Sequence, residues 1–456
     1  MPEATSAVKA APGERSPENY VPRLGLFSGT MMVIGGIIGS GIFLNPAIVA
    51  QRVGSVTLTL GVWILGGVVA FIGGMVFAEL GARRPVAGGG YVYLRECFGK
   101  LPAFLYGWTL LLVIATGAIA AVAVTFAGYS AALLGLDPGA VLPIAVSAIL
   151  ILSAINYLGV RPGAITQNVF TVLKLGALAL LIVAGLTGSS TPTAPFSPTP
   201  GTGNVVVAVG AALVPVLFAY GGWQQTNFIA EELRDPARNL PRALLAGVTL
   251  VVAVYVLANL AYVKTLGVSG LAQSSAPAAD VMGALLGDTG RTLIAAGIAV
   301  STFGFLNLVI LVSPRVYRAM ARDGLFFSRL ARLHPRYRTP GAAILVQGGW
   351  AILLTLTGGY GELLDYVVFG DWIFFGATAA TLFVYRSHER RDPEIGALRF
   401  RVPGYPITPL GFILAALYVV LGSVLSNPAN AMKGTGLMAL GVPVFLFWKR
   451  RSATSL

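Results

Sequence analysis

The residues with the most chemical promise lie in two glycine clusters, each inside a long apolar run. The first reads Gly35-Gly36-Ile37-Ile38-Gly39-Ser40-Gly41-Ile42-Phe43 and the second Phe218-Ala219-Tyr220-Gly221-Gly222-Trp223. Glycine weakens a helix interior by about 1 kcal/mol relative to alanine, so each cluster predicts a broken helix. A break frees peptide groups that must find partners. A half-helix starting near Gly41 would aim N–H groups and a positive dipole end into the gap, which suits a carboxylate. Half-helices ending near Ile37 and Phe218 would leave carbonyls, which suit an ammonium. Two facing breaks would therefore hold opposite charges a few ångströms apart, the pattern of an α-amino acid zwitterion. Close helix packing is the other use of such glycines, and Gly35 with Gly39 does form a small-xxx-small pair. Recurrence at matching places in two runs favours the breaks.

The elements that must position these groups are membrane helices. The chain has 456 residues, 56% hydrophobic and 11% charged, against about 25% charged in soluble domains. Gly (57) and Pro (27) are abundant, but the chain is too apolar for a disordered or fibrous protein. A helix needs about 20 apolar residues to cross the hydrocarbon core. Twelve runs qualify: 24–50, 56–81, 101–134, 141–159, 163–187, 204–230, 243–264, 291–314, 341–357, 363–385, 409–426 and 435–449. The third is long enough to tilt or to begin along the membrane surface. Residues 1–22 are polar, have no apolar core and read as a flexible cytoplasmic tail rather than a signal peptide, and 450–456 form a second tail.

Basic residues set the orientation. With twelve spans both ends share a side, and 26 of the 31 Lys and Arg fall on it, four on the other, with Lys174 inside a span. Both termini are therefore expected in the cytoplasm, with the chain multi-pass in the cytoplasmic (inner) membrane. This asymmetry explains the net charge of +13 without nucleic acid. The two glycine-broken runs are the first and the sixth. Units five helices apart must lie upside down relative to each other, so the chain reads as an all-α membrane protein with a 5+5 inverted repeat. The repeats are 23–187 and 204–385, with helices 11 and 12 (409–449) outside them. The long link 82–100 falls on the basic side and its counterpart 265–290 on the other. Paired interrupted spans at matching positions point to a transporter binding site.

Three further intramembrane features stand out. Lys174 lies about halfway along its run, roughly 16 Å from the nearer end, too far to snorkel. A charge at mid-membrane costs at least about 2.5 kcal/mol on insertion scales, so it should face the bundle and have a partner. Asp371, beside Phe369 and Trp372, is an acid in the tenth run; a water-exposed acid near the outer mouth is the alternative, since Glu362 and Asp365 are close in sequence. Gln224 and Gln225 follow the second cluster and could face the same space. Glu79 sits four residues before Arg83 and reads as a surface ion pair.

Four segments in order, Gly39-Ser40-Gly41-Ile42-Phe43, Gly88-Gly89-Gly90-Tyr91-Val92-Tyr93-Leu94-Arg95-Glu96, Phe218-Ala219-Tyr220-Gly221-Gly222-Trp223, and Glu231-Glu232 through Asn239-Leu240-Pro241-Arg242, resemble the L-type amino acid transporters of the amino acid–polyamine–organocation superfamily. The resemblance covers essentially the whole chain. It implies the leucine-transporter-type fold and alternating access. It implies carboxylate binding by the amides around Ser40, Gly41 and Ile42, with Gly39 and Gly221 also among the substrate-binding residues. The amine would go to the carbonyls of Ile37, Phe218 and Ala219. Phe218 would be an occluding gate with Trp372, and Phe369, Asp371 and Trp372 the side-chain end of the pocket. Lys174 would stand where related sodium-coupled carriers keep a cation, bracing helix 1 against helix 8, with Ser301 and Thr302 of helix 8 as its partners. The expectation is a sodium-independent amino acid transporter, an exchanger, with a proton-coupled symporter or a polyamine or cationic amino acid permease as alternatives. In eukaryotic members a cysteine between helices 3 and 4 joins a heavy chain. Here that link, 135–141, has none and Cys97 is cytoplasmic, so no disulfide-linked partner is expected, but a monomer or weak homo-oligomer.

Other classes are poorly served. One cysteine and two histidines, His334 and His388, leave too few donors for a Cys- or His-based metal site, and no cofactor is expected. No serine–histidine arrangement or paired mid-membrane aspartates suggest an enzyme. A channel would not need paired breaks with opposite half-helix ends.

Overall fold

The computed structural model describes residues 19–188, 205–358, 360–391, 400–426 and 428–454. The regular structure of these residues is helical, with one isolated bridge between Leu24 and Leu233. The first run is two helices, α1 (Leu26–Ile37) and α2 (Gly41–Val53), bent by 42° across residues 38–40. Next comes α3 (Val56–Arg83), begun by Ser55, whose hydroxyl accepts the Leu58 amide at 3.2 Å. A short α4 (Gly90–Phe98) lies between spans. The third run is α5 (Lys100–Thr109), a π-helical turn over Leu110–Ile114, and α6 (Ala115–Leu133). Then follow α7 (Val141–Tyr157) and α8 (Val160–Thr187).

The sixth run is α9 (Val205–Ala219), a gap, and a tightly wound 3-10 stretch, Trp223–Glu232. After it come α10 (Pro236–Gln273), α11 (Pro277–Val312), α12 (Pro314–Arg322) and α13 (Gly341–Thr357). The chain ends in α14 (Tyr360–Arg391), α15 (Ile407–Ser426), α16 (Pro428–Ala439) and α17 (Gly441–Thr454). Among the described residues nine helical stretches are long and apolar enough to cross a membrane, and α1 with α2 makes a tenth. Helices suit that setting because they satisfy their own backbone groups.

Several boundaries differ from those read in the sequence. Segment 265–290 is largely helical: α10 and α11 run on past the apolar runs and kink at Gly267 (φ 67°) and Gly287 (φ 61°). The last run is two helices meeting at Leu440. The polar tail is not wholly loose: Tyr20 is buried, and its ring lies 4.7 Å from the Arg318 guanidinium. Residues 1–18 lie outside the described residues.

Glu79 is not at the surface. Its carboxylate is fully buried and accepts from Arg83 (2.6 Å), Arg386 (2.5 Å) and the Val402 amide (2.6 Å). The pair with Arg83 is present, but the end of α14 and the chain at Val402 fold over it. Contacts from some 307 residues away could not be read from the local spacing.

The broken helices occupy the middle of the bundle. α2 packs on α9, α3 on α10, and α6 on α11, while α8 lies against both α1 and α11. Pro215 interrupts α9 and cannot donate to Ala211. The Arg52 guanidinium donates to the Ala211 carbonyl instead, and Asn45 Nδ2 donates to the Pro215 carbonyl at 2.7 Å. Side chains of α2 thus hydrogen-bond the Ala211 carbonyl that the proline leaves without a donor and the carbonyl of the proline itself.

Candidate functional site

The two breaks meet backbone to backbone. A Cβ built on Gly36 would lie 2.8 Å from the Gly222 carbonyl oxygen, and one on Gly222 would overlap Gly36 itself. Gly222 has φ 105°, a region side chains disfavour. The glycines serve packing as well: a Cβ on Gly35 would strike Gln167 and Thr171 of α8, and one on Gly41 would press on Ala219 at 3.0 Å. Close approach thus brings the start of α2 beside the end of α9.

Between the breaks lies a cavity of about 280 Å³, near the lower limit for small-molecule pockets. Ile37, Gly39, Ser40, Gly41, Phe218, Ala219 and Gly221 form its main-chain wall. Asp371 and Trp372 of α14 line it too, as do Gln224 and Gln225. The π turn widens α5–α6 at this level and contributes Leu110 and Ile114. Ile42 is fully buried just behind the wall, and Lys174, Ser301 and Thr302 lie behind the first break rather than in the cavity. Phe218 is 40% exposed and does not close the space. Trp372 packs edge-on to Phe375 at 5.5 Å between centroids and near Phe412.

The free ends have the predicted polarity. α2 begins at Gly41, so its first amides have no helical acceptor. α1 ends at Ile37 and α9 at Ala219. The carbonyls at these ends are partly occupied. Tyr255 Oη, on α10, donates toward both Ile37 O (3.1 Å) and Ala219 O (3.3 Å), and Phe218 O accepts the Gly221 amide. Each carbonyl has two lone pairs, so one remains for a ligand. The sequence reading missed Tyr255. Its signal was a polar tip within the apolar run 243–264, the same kind of signal that exposed Lys174.

Lys174 is fully buried, and Nζ donates to Ile38 O (2.6 Å) and Gly35 O (3.2 Å). Ser301 Oγ of α11 lies 3.4 Å from Ile38 O and from Gly39 O. The lysine therefore meets helix 1 directly, and Ser301 shares its acceptor. Thr302 bonds instead to carbonyls of its own helix, at Ile298 and Ala299.

At the arginine-rich end, buried polar contacts tie the helix segments together. Arg315 Nε donates to Glu232 at 2.8 Å, both side chains being buried, and the Arg23 and Leu24 amides donate to Glu232 O at 2.9 Å. Burial pushes the Tyr20 phenol up to about 12. Among the described residues no group of three or more His, Cys, Asp or Glu could hold a metal ion.

The profile of a family described as amino acid permease matches residues 24–447. The chain is 35% identical to the b(0,+)-type amino acid transporter 1 of Mus musculus over 93% of its own length and 87% of the relative's. It is 33% identical to the serine/threonine exchanger SteT of Bacillus subtilis, covering 94% and 98% of the two chains. It is 34% identical to the large neutral amino acids transporter small subunit 2 of Mus musculus, covering 94% and 82%.

Proposed function

Because the chain belongs to the amino acid permease family, we propose that it is a secondary amino acid transporter, sodium-independent and working by exchange. The observation that carries this reading is one cavity walled by a helix start at Gly41 and by helix ends at Ile37 and Ala219. Opposite main-chain partial charges there match an α-carboxylate and an α-amine. The carboxylate takes the amides around Ser40, Gly41 and Ile42. The amine takes the remaining lone pairs of Ile37, Phe218 and Ala219, beside the Tyr255 hydroxyl. Phe218 folds over the bound substrate, and Trp372 walls the far side.

Lys174 supports the sodium-independent reading. Its ammonium already satisfies the Gly35 and Ile38 carbonyls behind the break, where a bound cation would otherwise have to sit. Packing of α2 on α9, α3 on α10 and α6 on α11 suits two inverted five-helix units, 23–187 and 204–385, rocking about the cavity. We place the chain in the cytoplasmic membrane with both termini inside. It acts without a disulfide-linked heavy chain, since segment 135–141 has no cysteine.

A second reading, a proton-coupled symporter or a cationic-substrate permease, rests on Asp371, an acid lining an otherwise largely apolar cavity. The deciding experiment preloads proteoliposomes with each of the twenty amino acids and follows uptake with and without sodium or proton gradients. Counterflow needing no gradient supports exchange. Uptake that runs only with a sodium gradient overturns it, and uptake driven by a proton gradient alone selects the second reading.

A further inference from the structure

We propose that the groove at the start of α10 binds the headgroup of an anionic phospholipid. The groove holds about 380 Å³ and is lined by Arg238, Arg242 and Leu245, with Phe400 as an outer wall. Arg238 and Arg242 are exposed and stand four residues apart, on one face of the helix. Neither makes an ion pair with a described residue. Elsewhere at this end acids meet arginines: Glu79 with Arg83 and Arg386, Asp323 with Arg95, Glu232 with Arg315.

Two features of this pair run against helix stability. Like charges at i,i+4 repel. Cations in the first two turns also oppose the helix dipole, whose positive end lies there. Orientation in the membrane asks only that arginines lie on this side. It does not ask that two stack on one face at the unfavourable end. An anion between them would relieve both conflicts.

The surroundings say which anion. The exposed face of α10 continues from Arg242 through Ala246, Leu250, Leu257 and Leu260. That stripe is apolar and faces the hydrocarbon. Leu250 lies about 12 Å along the axis from Arg242, inside the roughly 15 Å of hydrocarbon in one leaflet. A phosphate held by the two guanidiniums would thus have its acyl chains laid along Leu245 and Leu250. A free phosphate ion would use the arginines but not the apolar stripe.

The test uses the full chain in detergent, with phosphatidylglycerol, phosphatidylcholine and inorganic phosphate as probes. Native mass spectrometry counts retained lipid, and melting curves report stabilisation. The wild type should retain phosphatidylglycerol over phosphatidylcholine. Arg238→Gln with Arg242→Gln should bind it about 25-fold more weakly, two charges at roughly a factor of five each. Arg238→Lys with Arg242→Lys should keep most of the binding, which shows that loss in the glutamine variant is not misfolding. Arg329→Gln with Arg332→Gln, exposed arginines outside the groove, should change nothing. Equal retention by the glutamine variant and the wild type would overturn the proposal. So would inorganic phosphate stabilising the wild type as well as the lipid does, since the groove would then hold a free ion.

Discussion

Gly36 and Gly222 touch through their main chains, although 186 residues separate them in the sequence. A methyl group on Gly36 would come within 2.8 Å of both the Gly222 oxygen and Leu308 Cδ2; the leucine could turn aside, but the Gly222 main chain could not. Gly36→Ala should therefore push the two breaks apart and abolish transport. Gly222→Ala adds a backbone conformation costing about 1–3 kcal/mol and should lower the melting temperature as well. Gly61→Ala and Gly128→Ala, where a methyl meets nothing within 4 Å, should leave both readouts unchanged. Normal transport by Gly36→Ala would mean the contact is not needed.

Lys174→Ala removes the donor to Gly35 and Ile38 carbonyls in a fully buried place. Hydrogen bonds from charged groups contribute about 1.5–3 kcal/mol, so transport should fall at least tenfold while the protein still inserts in the membrane. Undiminished uptake with normal membrane abundance would remove the lysine from the mechanism.

Tyr255→Phe keeps the ring but loses the hydroxyl that joins Ile37 to Ala219. The ring also packs on Trp63 and Tyr220, so stability should be little affected. With about 1 kcal/mol at stake, the apparent affinity for substrate should weaken roughly fivefold. Uptake kinetics measure this directly.

Asp371→Asn leaves the size of the cavity wall unchanged and removes its charge. Competition among neutral, acidic and dibasic amino acids should show a changed order, with dibasic competitors losing most. An unaltered order would mean the acid does not read the side chain.

Cys97 packs against α14, its Sγ 3.7 Å from the Thr381 carbonyl, and burial pushes the thiol up to about 11. The thiol stays protonated at neutral pH. Maleimide labelling of the folded protein should be slow at pH 7, quicken as pH rises toward 11, and become fast on denaturation. Rapid labelling at pH 7 would contradict the burial.

What the sequence disclosed follows from how each feature is encoded. The two breaks are local, since glycine acts on its own turn, and α1 and α9 end within a residue of where composition placed them. Lys174 announced itself as a lone charge in an apolar run. The π turn at Leu110–Ile114 left no trace, because leucine and valine serve an α turn equally well. Tyr255 passed as one more apolar-compatible ring. The Glu79 cluster and the pairing of Arg52 with the Ala211 carbonyl depend on residues distant in the chain, which only the packed bundle brings together. Ser301 and Thr302 are equivalent in the sequence, but one residue around the helix turns the Ser301 hydroxyl to the Ile38 and Gly39 carbonyls and the Thr302 hydroxyl to its own backbone.

The stitching at the arginine-rich end has a mechanical consequence. The Arg23 and Leu24 amides donate to Glu232, and Leu24 in turn accepts from Arg234. These contacts fasten the entry of the first span to the exit of the sixth. The lower arms of the two broken rods are thereby coupled like the blades of one hinge. Access from beneath requires that they swing together or that these few stitches come undone first.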